Sequence, residues 1–347
     1  MPLTVDWSVS INGTDYTSRF NPYVMEIEVT DGSGSDGDSC RITLADDGRL
    51  IMPKKGVTIA VSILGVKVFE GILKTPRCTT AKGQGGKMVL NATGHDTEDE
   101  GKQSQHFAME ETTLGEYLSG LSKKAGYEIK VDPELAKIKQ SWIGSEGRSF
   151  LEHAQLLANR YGATLKLSGK QAVLARRGKG KTPGGKDLPT VRAVSPGNII
   201  NADIEPYVGT AAVRDVRFDF FNRDKARFEE QKADVRLGIG SSKTARRVLP
   251  GKAASREDAE DRAKGAAADS ERERGSGTVE IDIEPQARAE GTCIVSGVRQ
   301  GIDGEYRIES VTHTLTAGDG GGSTTKLTLK QPGDEAGSDK RKAGEGD

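Results

Sequence analysis

The sequence predicts a mainly β protein with α+β insertions. Short runs near both ends alternate apolar with polar residues at every second position, which is the spacing of a half-buried strand. The middle of the chain instead has apolar residues at helical spacing. Glycine contributes 44 of the 347 residues. That is well above its usual share of about 7%, and glycine suits turns between strands better than helices. A chain of this length is expected to form two or three domains.

The first hundred residues predict a β domain over residues 1–105. Between its first two strands, residues 31–38 are all Asp, Gly or Ser, which favour turns. Short strands separated by turns at this spacing indicate a small barrel or sandwich. The alternating runs that predict its strands lie at residues 23–29, 40–44, 57–63 and 66–72.

An α+β domain is predicted over residues 106–185. Apolar residues at helical spacing indicate a helix over 114–125, and Thr112 or Thr113 can cap its first turn. A short strand is expected to follow at 127–131.

A second helix in this domain is indicated by Ser149 and Glu152, which have the spacing of a capping box. The helix is expected to cover residues 150–161 and to stop at a glycine. A hairpin over 163–176 follows, and the Gly/Lys-rich stretch 176–185 is expected to be an exposed linker.

A second β domain is predicted over residues 186–333, with an inserted Ala-rich helix over 253–274 capped by Ser255. The narrow alanine stripe of this helix suggests that it lies on a surface or crosses a partner. Residues 334–347 are charged and Gly-rich and are expected to be a disordered tail. The strands of this domain are predicted from alternation at residues 216–220, 279–283, 306–315 and 325–329.

Composition excludes several classes of protein. The 50 Lys and Arg residues balance the 51 Asp and Glu residues, which argues against a strongly basic nucleic-acid binder. No apolar run approaches the roughly 18 residues of a membrane span, so stable membrane insertion is not expected. Cys40, Cys78 and Cys293 are too far apart for a CxxC metal site, and we expect reduced cysteines made in a cytoplasm.

Two loops superficially suggest ligand binding. Residues 178–182 carry Gly-Lys-Thr, but a phosphate-binding loop needs a glycine where Ala175 stands, and a Pro-Gly-Gly run replaces the required helix. Residues 31–38 are acidic, but a calcium-binding EF-hand needs Gly and Glu where Asp36 and Ile42 stand. Both loops are therefore interpreted as structural.

No catalytic or metal-binding constellation emerges from the sequence. The four histidines have no spacing that would bind one metal from a single helix or hairpin, and no nucleophile elbow is present. We therefore expect no cofactor, no metal, no catalytic residue and no enzymatic activity. The histidines are His95, His106, His153 and His313.

Three stretches, in this order, carry a family resemblance. Residues 29–47 form a strand, an Asp-rich turn and a strand ending in Leu-Ala-Asp-Asp, with a Pro-x-x-Gly step after it. Residues 144–162 lead into a helix and a hairpin, and residues 303–329 contain a Val-x-His-x-Leu element and a closing strand. Together they resemble the late control protein D family, the tail hub of contractile-tailed phages, which is similar to the hub part of the type VI secretion spike protein.

The resemblance implies two small β-barrels per subunit and a homotrimer that forms a pseudo-six-fold ring. It implies a structural hub that joins the six-fold tail tube to the three-fold central spike and forms part of the DNA exit channel of a phage tail or related injection particle. Implied partners are the tube protein, the spike, the tape measure protein and baseplate wedge or tube-initiator proteins, with transient, non-specific DNA passage. The implied location is the virion baseplate, assembled in the bacterial cytoplasm.

Acidic residues on predicted strands are candidates for lining such a channel, because like charge repels phosphate. The ordinary alternative is a solvent-facing strand surface. A hub carrying cell-wall hydrolase activity and a nucleic-acid-binding regulator are the two competing functions. His313 matches the family's histidine and is expected to pack or hydrogen-bond. The channel candidates are Glu26, Glu28, Glu280, Asp282 and Glu284.

Overall fold

Most of the chain folds into β-sheet. The structure, a computed structural model, describes residues 5–32, 37–83, 85–95, 100–177, 187–207, 212–222, 225–236, 244–253, 255–318, 322–333 and 336.

The first β unit consists of seven strands and one short helix. Alternation of buried and exposed side chains runs along its strands, as the sequence pattern predicts. Its elements are β1 (Trp7–Ile11), β2 (Thr14–Asp15), α1 (Thr17–Phe20), β3 (Val24–Gly32), β4 (Ser39–Asp46), β5 (Thr58–Ile63), β6 (Val66–Ala81) and β7 (Gly85–Thr93).

The α+β unit follows a short 3-10 helix at Glu100–Lys102. A complete capping box starts its first long helix, where Thr113 accepts from the Glu116 amide and the Glu116 carboxylate accepts from the Thr113 amide. Its elements are β8 (Ala108–Thr113), α2 (Leu114–Lys124), β9 (Glu128–Val131), α3 (Pro133–Ala136), β10 (Lys139–Gly144), α4 (Phe150–Arg160), β11 (Ala163–Ser168) and β12 (Gln171–Arg176).

The C-terminal region contains a second β unit and one long helix, which Ser255 caps through the Asp258 amide. Its elements are β13 (Thr190–Val194), β14 (Ile199–Glu205), β15 (Ala212–Asn222), β16 (Arg227–Asp234), β17 (Thr244–Val248), α5 (Arg256–Arg272), β18 (Ser276–Asp282), β19 (Thr292–Ser296), β20 (Gly304–Thr316) and β21 (Ser323–Lys330).

One continuous sheet joins the two β units. Eight of its strands lie side by side in the order β6-β7-β4-β3-β20-β21-β18-β14, and every neighbouring pair is antiparallel. The seam is the pairing of β3 with β20, which matches seven residues from Glu26↔Thr316 to Gly32↔Ser310. The two units therefore share backbone hydrogen bonds and are not separate sheets.

Each unit folds a smaller layer of strands behind its half of this sheet. The long strand β6 pairs with β5 up to Ile72 and with β7 from Ile72 onward. The long strand β20 likewise pairs with β19 through its first residues and with β3 through its last ones. Register shifts in β6 and β20 lie where each strand passes from one layer to the other. A separate apolar core fills the space between the layers of each unit.

Helix α5 lies between the α+β unit and a three-stranded sheet of β16, β15 and β17. Its buried alanines pack against Phe218 and Phe220 of β15. On another side the backbones of Gly162 and Gly265 approach so closely that a Cβ on Gly265 would stand 2.6 Å from the carbonyl carbon of Tyr161. The alanine stripe thus belongs to a contact within the chain.

A buried hydrogen-bond network stabilises the same contact. The Tyr161 hydroxyl donates to Asp258 Oδ1 at 2.9 Å and accepts from Gln140 Nε2 at 3.0 Å. Arg262 binds both carboxylate oxygens of Asp258, at 2.8 and 2.7 Å, so the buried charge is paired. The network thereby ties α5 to β10 and to Tyr161 at the C-terminal end of α4.

The fold confirms the mainly β class, and it corrects several local predictions. Only half of the second capping box forms, since Ser149 accepts from the Glu152 amide without a reciprocal bond. Arg176 and Arg177, placed in an exposed linker, form ion pairs with Asp261 and Asp269 of α5. The remainder of that linker, residues 178–185, lies outside the described residues.

Two further predictions, on the extent of β6 and on the C-terminal tail, are also corrected. Strand β6 extends nine residues beyond its predicted end at Ile72. Ala336, within the predicted disordered tail, is buried beside Gly304 in the core of the second β unit. The rest of residues 334–347 lies outside the described residues.

Replacing Gly265 by alanine tests the contact of α5. We expect Gly265→Ala to lower the free energy of unfolding by about 1–3 kcal/mol, because the added methyl group would overlap the Tyr161 backbone. Denaturant titration measures this loss. Gly322→Ala is the matched control, since its new methyl group would meet nothing within 4 Å. Equal stability of the two variants would contradict the proposed close contact.

Candidate functional site

The front of the eight-stranded sheet is a polar face that crosses both β units. One row of directly opposed residues contains Arg41, Glu28, Thr314, Thr324 and Asp282, from β4 to β18. Opposed residues in antiparallel strands point to the same side of a sheet, so these side chains share one surface. We call this surface the polar face.

The next row of the polar face contains Thr30, Thr312, Lys326, Glu280 and Asn201. Hydroxyl groups of neighbouring strands bond to one another across it, as Thr30 and Thr312 do at 3.2 Å. The row shows that residues separated by about 280 positions in sequence form one surface.

Four of the five predicted channel residues lie on the polar face. Glu26 and Glu28 belong to β3, and Glu280 and Asp282 to β18. Three strand spacings, about 14 Å in total, separate Glu28 from Asp282. Glu284 lies beyond the end of β18, where its amide donates to Thr325 and its carboxylate accepts from the Gln286 amide.

The charge of the polar face is mixed. Glu28 stands opposite Arg41 and Glu280 stands opposite Lys326, whereas Glu26 and Asp282 stand opposite threonines. The sequence pattern suggested an acidic lining, but two of these four carboxylates have a basic cross-strand neighbour. A face of hydroxyls, amides and charges of both signs offers a polyanion little attraction.

The opposite side of the sheet is apolar and buried. His313 is on this side, 1% exposed, and its Nδ1 lies 3.0 Å from the Thr325 hydroxyl. The predicted packing and hydrogen-bonding role of His313 is therefore confirmed. Burial lowers the pKa of His313 to about 4, and the positive charge of Arg288 acts in the same direction.

A charged junction holds three parts of the chain together at the end of β3. The buried Asp31 carboxylate accepts from Lys166 Nζ of β11 at 2.6 Å and from the Ala289 amide at 3.0 Å. Burial disfavours the charged carboxylate, but Lys166 and the Ala289 amide outweigh it and lower the pKa of Asp31. We call Asp31, Asp38 and Lys166 the Asp31 junction.

Asp38 completes this junction at 4.0 Å from Lys166 Nζ. Burial and the neighbouring negative charge of Asp31 raise the pKa of Asp38 to about 6, although Lys166 opposes the shift. A cavity of about 190 Å³ opens beside it, lined also by His95 and Lys102. The turn-forming residues 31–38 predicted a loop at Asp31 and not this buried ion pair. Asp31 follows the buried Val29 by two residues, so the alternation along β3 places its side chain on the buried side of the strand.

The remaining sequence candidates are scattered. His153 is buried in the α+β unit, where desolvation lowers its pKa to about 4 and its ring packs edge-on against Tyr117. Cys40 and Cys293 are buried and Cys78 is exposed, all as free thiols. In the described part of the chain, no three His, Cys, Asp or Glu side chains are grouped as metal ligands. Among those residues, no helix is both long and apolar enough to cross a membrane.

Comparison with curated proteins identifies relatives among phage tail components. The chain is 26% identical over 193 residues to the probable baseplate hub protein of Escherichia phage P2, covering 54% of this chain and 50% of that protein. It is 24% identical over 190 residues to the probable baseplate hub protein of Escherichia phage 186, with 54% and 49% covered. The chain is thus similar in sequence to two probable baseplate hub proteins of phages. The matched region spans about half the length of these relatives. No family model matches the sequence.

Solved structures share the fold over nearly the whole chain. A 43 kDa tail protein of prophage MuSo2 from Shewanella oneidensis superposes with a TM-score of 0.68 at 17% identity, covering 93% of this chain and 97% of that one. An E. coli type VI secretion component, described as structurally similar to the T4 tail proteins gp27 and gp5, gives 0.57 at 10% identity, with 95% and 78% covered. The predicted resemblance to tail hubs is confirmed, and the predicted baseplate location agrees with these relatives.

Removing the cation of the Asp31 junction is expected to destabilise the protein. Lys166→Met leaves the Asp31 carboxylate without its charged partner. Unpairing a buried charge typically costs about 3–5 kcal/mol, and we expect about 2 kcal/mol here because part of the Lys166 side chain reaches solvent. Lys166→Met combined with Asp31→Asn should recover part of the loss, and exposed Lys139→Met is the control. Denaturant titrations that show equal losses for Lys166→Met and Lys139→Met would refute the role of the junction.

Acidification is expected to weaken the fold through the two buried histidines. The pKa of each is about 4 in the folded protein and near 6.5 when unfolded, so the unfolded chain binds more protons between those values. Stability is therefore lost as the pH falls from about 6.5 to 4, by about 3 kcal/mol for each histidine. Asp38, with its raised pKa, acts in the opposite direction over part of this range.

The measurement compares the pH dependence of the unfolding free energy in the parent, His153→Asn and His313→Asn. Each substitution should flatten the acid branch of the curve. Parallel curves for all three proteins would show that these histidines are not linked to folding.

Proposed function

We propose that this protein is a structural hub of a contractile phage tail or related injection particle, a trimeric adaptor that joins the six-fold tail tube to the three-fold central spike. The observation that carries the proposal is the continuous sheet that unites two similarly layered β units across the β3–β20 seam. The similarity to the baseplate hub proteins of phages P2 and 186 supports it.

The symmetry of such an adaptor follows from its two β units. Three subunits with two β units each present six β units in a ring. A ring of this kind can contact a six-fold tube on one side and a three-fold spike on the other. Residues 1–105 and 186–333 are the proposed tube-like domains, and residues 106–185 form the α+β domain between them.

The polar face is the proposed wall of the channel through which DNA leaves the particle. Its hydroxyls and mixed charges, including Glu26, Glu28, Glu280 and Asp282, would let a polyanion pass without strong binding. Glu284 is a weaker candidate because it lies outside the strand. The tape measure protein and wedge or tube-initiator proteins are further proposed partners. No specific observation favours a cell-wall hydrolase.

The mass of the purified protein, alone and mixed with its spike protein, tests the adaptor role. We expect a trimer of 37.0 kDa chains in at least one of these conditions, measured by light scattering during gel filtration. A monomer in both conditions would refute the proposal. A zymogram that clears peptidoglycan would instead favour the hydrolase.

Adding positive charge to the polar face tests the channel. Glu28→Lys with Asp282→Lys should increase duplex DNA binding and its salt dependence, because the trimer would present six new cations to the lumen. The control reverses two exposed carboxylates of the α+β unit, Glu110→Lys with Glu128→Lys. Filter binding at low and moderate salt measures both. If the control binds DNA as strongly, the polar face is not the channel wall.

A further inference from the structure

We propose that the outer edge of β17 is a docking site for an extended, acidic segment of another protein, which would add a fourth strand to the sheet of β16, β15 and β17. This sheet and α5 are inserted between β14 and β18 of the second β unit. The site belongs to a single chain, so it does not depend on the oligomeric state of the protein.

The outer edge of β17 is open. The strand pairs with β15 on one side, no described strand lies on its other side, and all five of its residues are exposed. The Leu249 amide donates to the Arg217 carbonyl of β15, and successive residues of a strand direct their backbone groups to opposite edges. The backbone groups of Arg246 and Val248 therefore face outward. An open edge of this kind is a template for a further strand.

Three guanidinium groups converge on one buried carboxylate beside this edge. Asp215 accepts from Arg217 Nε at 2.7 Å and from Arg214 Nε at 2.9 Å, and Arg246 Nε of β17 lies 3.4 Å away. The hydrogen bonds from Arg217 and Arg214 lower the pKa of Asp215 to about 2, so this carboxylate is charged at neutral pH. Glu230 also binds Arg217. Two carboxylates thus face three guanidinium groups, and one positive charge remains in excess.

The whole inserted segment is basic in an otherwise acidic chain. Residues 211–253 contain 11 Lys and Arg against 6 Asp and Glu, whereas the rest of the chain contains 39 and 45. β17 carries Arg246 and Arg247 and no acidic residue. The other edge strand, β16, is different, because its basic side chains pair with acidic ones of the same strand, as Lys232 does with Asp234. The β17 edge therefore complements an acidic partner.

The front of this sheet, the side turned away from α5, also exposes apolar side chains. Val248 lies on it opposite Arg217, and Phe221 lies on it opposite Phe228. Val248 is 59% exposed and Phe228 58%, and the two phenylalanine rings pack edge to face at 5.2 Å. Exposed aromatic and aliphatic side chains among paired charges are typical of surfaces that bind another protein.

The register of β17 defines the chemistry of the partner. An added strand would place one residue beside Val248 and another, two positions along, beside Arg246, both on the front of the sheet. The residue between them would lie beside Arg247 on the back. A complementary segment therefore has an apolar residue next to two acidic ones. Nucleic acid fits less well, because a phosphate backbone has no amide to donate to the outward carbonyls of β17.

Binding of a designed peptide to the full-length protein tests the site. The probe is a fluorescein-labelled peptide, Thr-Thr-Val-Glu-Glu-Thr-Thr, and fluorescence anisotropy measures its binding at low and moderate salt. We expect saturable binding that weakens as the salt concentration rises. A peptide with lysine in place of both glutamates should bind about tenfold more weakly or not at all.

N-methylation of the peptide tests strand pairing separately from charge. In an antiparallel alignment, methyl groups on the amides of the valine and the second glutamate remove the donors that face β17, so binding should be lost. A methyl group on the first glutamate points away from β17, and that peptide should bind like the unmodified probe.

Variants of the protein make the same distinction. Arg246→Glu with Arg247→Glu should weaken binding about tenfold or more. Val248→Pro removes an outward amide and leaves the pairing with β15 in place, so it should also weaken binding, whereas Val248→Ile should not. Lys130→Glu with Lys139→Glu, on exposed strands of the α+β unit, is the matched charge control and should bind like the parent. Circular dichroism checks that each variant is folded.

Hydrogen exchange locates the added strand. The amides of Arg246 and Val248 face solvent in the free protein, so their exchange should slow when the peptide is present. The Leu249 amide already bonds to β15 and should change little. Protection confined to β16 would place the peptide at the other edge and overturn the proposal.

The remaining outcomes also decide between occupants. Loss of binding in the arginine variant and in Val248→Pro, with binding kept in both controls, supports the site. No binding at about 1 mM peptide, or equal binding of the two methylated peptides, overturns it. Duplex DNA that displaces the peptide would assign the surface to nucleic acid, and parent oligomers that Val248→Pro dissociates would assign the edge to a second copy. Either result overturns the proposal, whereas the adaptor role is tested by the mass of the protein with its spike.

Discussion

The pairing of β3 with β20 is the interaction on which the rest of the architecture depends. It joins residues separated by about 280 positions and turns two β units into one sheet with a common polar face. Without these seven residue pairs, Glu28 and Asp282 would belong to different surfaces. The Asp31 carboxylate lies at the end of the same seam and binds both the α+β unit and the loop at Ala289. The backbone hydrogen bonds of the seam and the ion pair of Asp31 with Lys166 therefore stabilise the joined β units at the same place.

Strand alternation and helix-capping patterns predicted much of the fold because each depends on interactions of residues close together in sequence. Alternation in β3, β4 and β5 reflects strands with one buried side, and the threonine before α2 reflects the unpaired amides of a helix start. The buried role of His313 could be anticipated because it lies between Val311 and Leu315 in an alternating run. Strands β16 and β17 escaped prediction, since most of their side chains are exposed and leave no apolar period.

Long-range features had weaker signals in the sequence. The close approach of Gly162 to Gly265 involves two residues about 100 positions apart, and neither shows by its neighbours that a second backbone will touch it. The charge of the polar face was predicted as acidic because Glu28 and Glu280 were considered along their own strands. Arg41 and Lys326 become their neighbours only through pairing between strands. Asp31 lies on the buried side of β3, as its alternation with the partly exposed residues of the strand indicates. A carboxylate at a position where burial is predicted was the one sign of a buried ion pair.

The seam also has a consequence for synthesis of the chain on the ribosome. β3 is made early, but its partner β20 emerges only after roughly 280 more residues have been added. During that interval one edge of a mostly formed N-terminal unit stays unpaired and can bind other chains. Closing so long a loop is slow, because most of the chain must be ordered before the contact forms. Correct assembly therefore depends on protecting this edge until β20 has been synthesised.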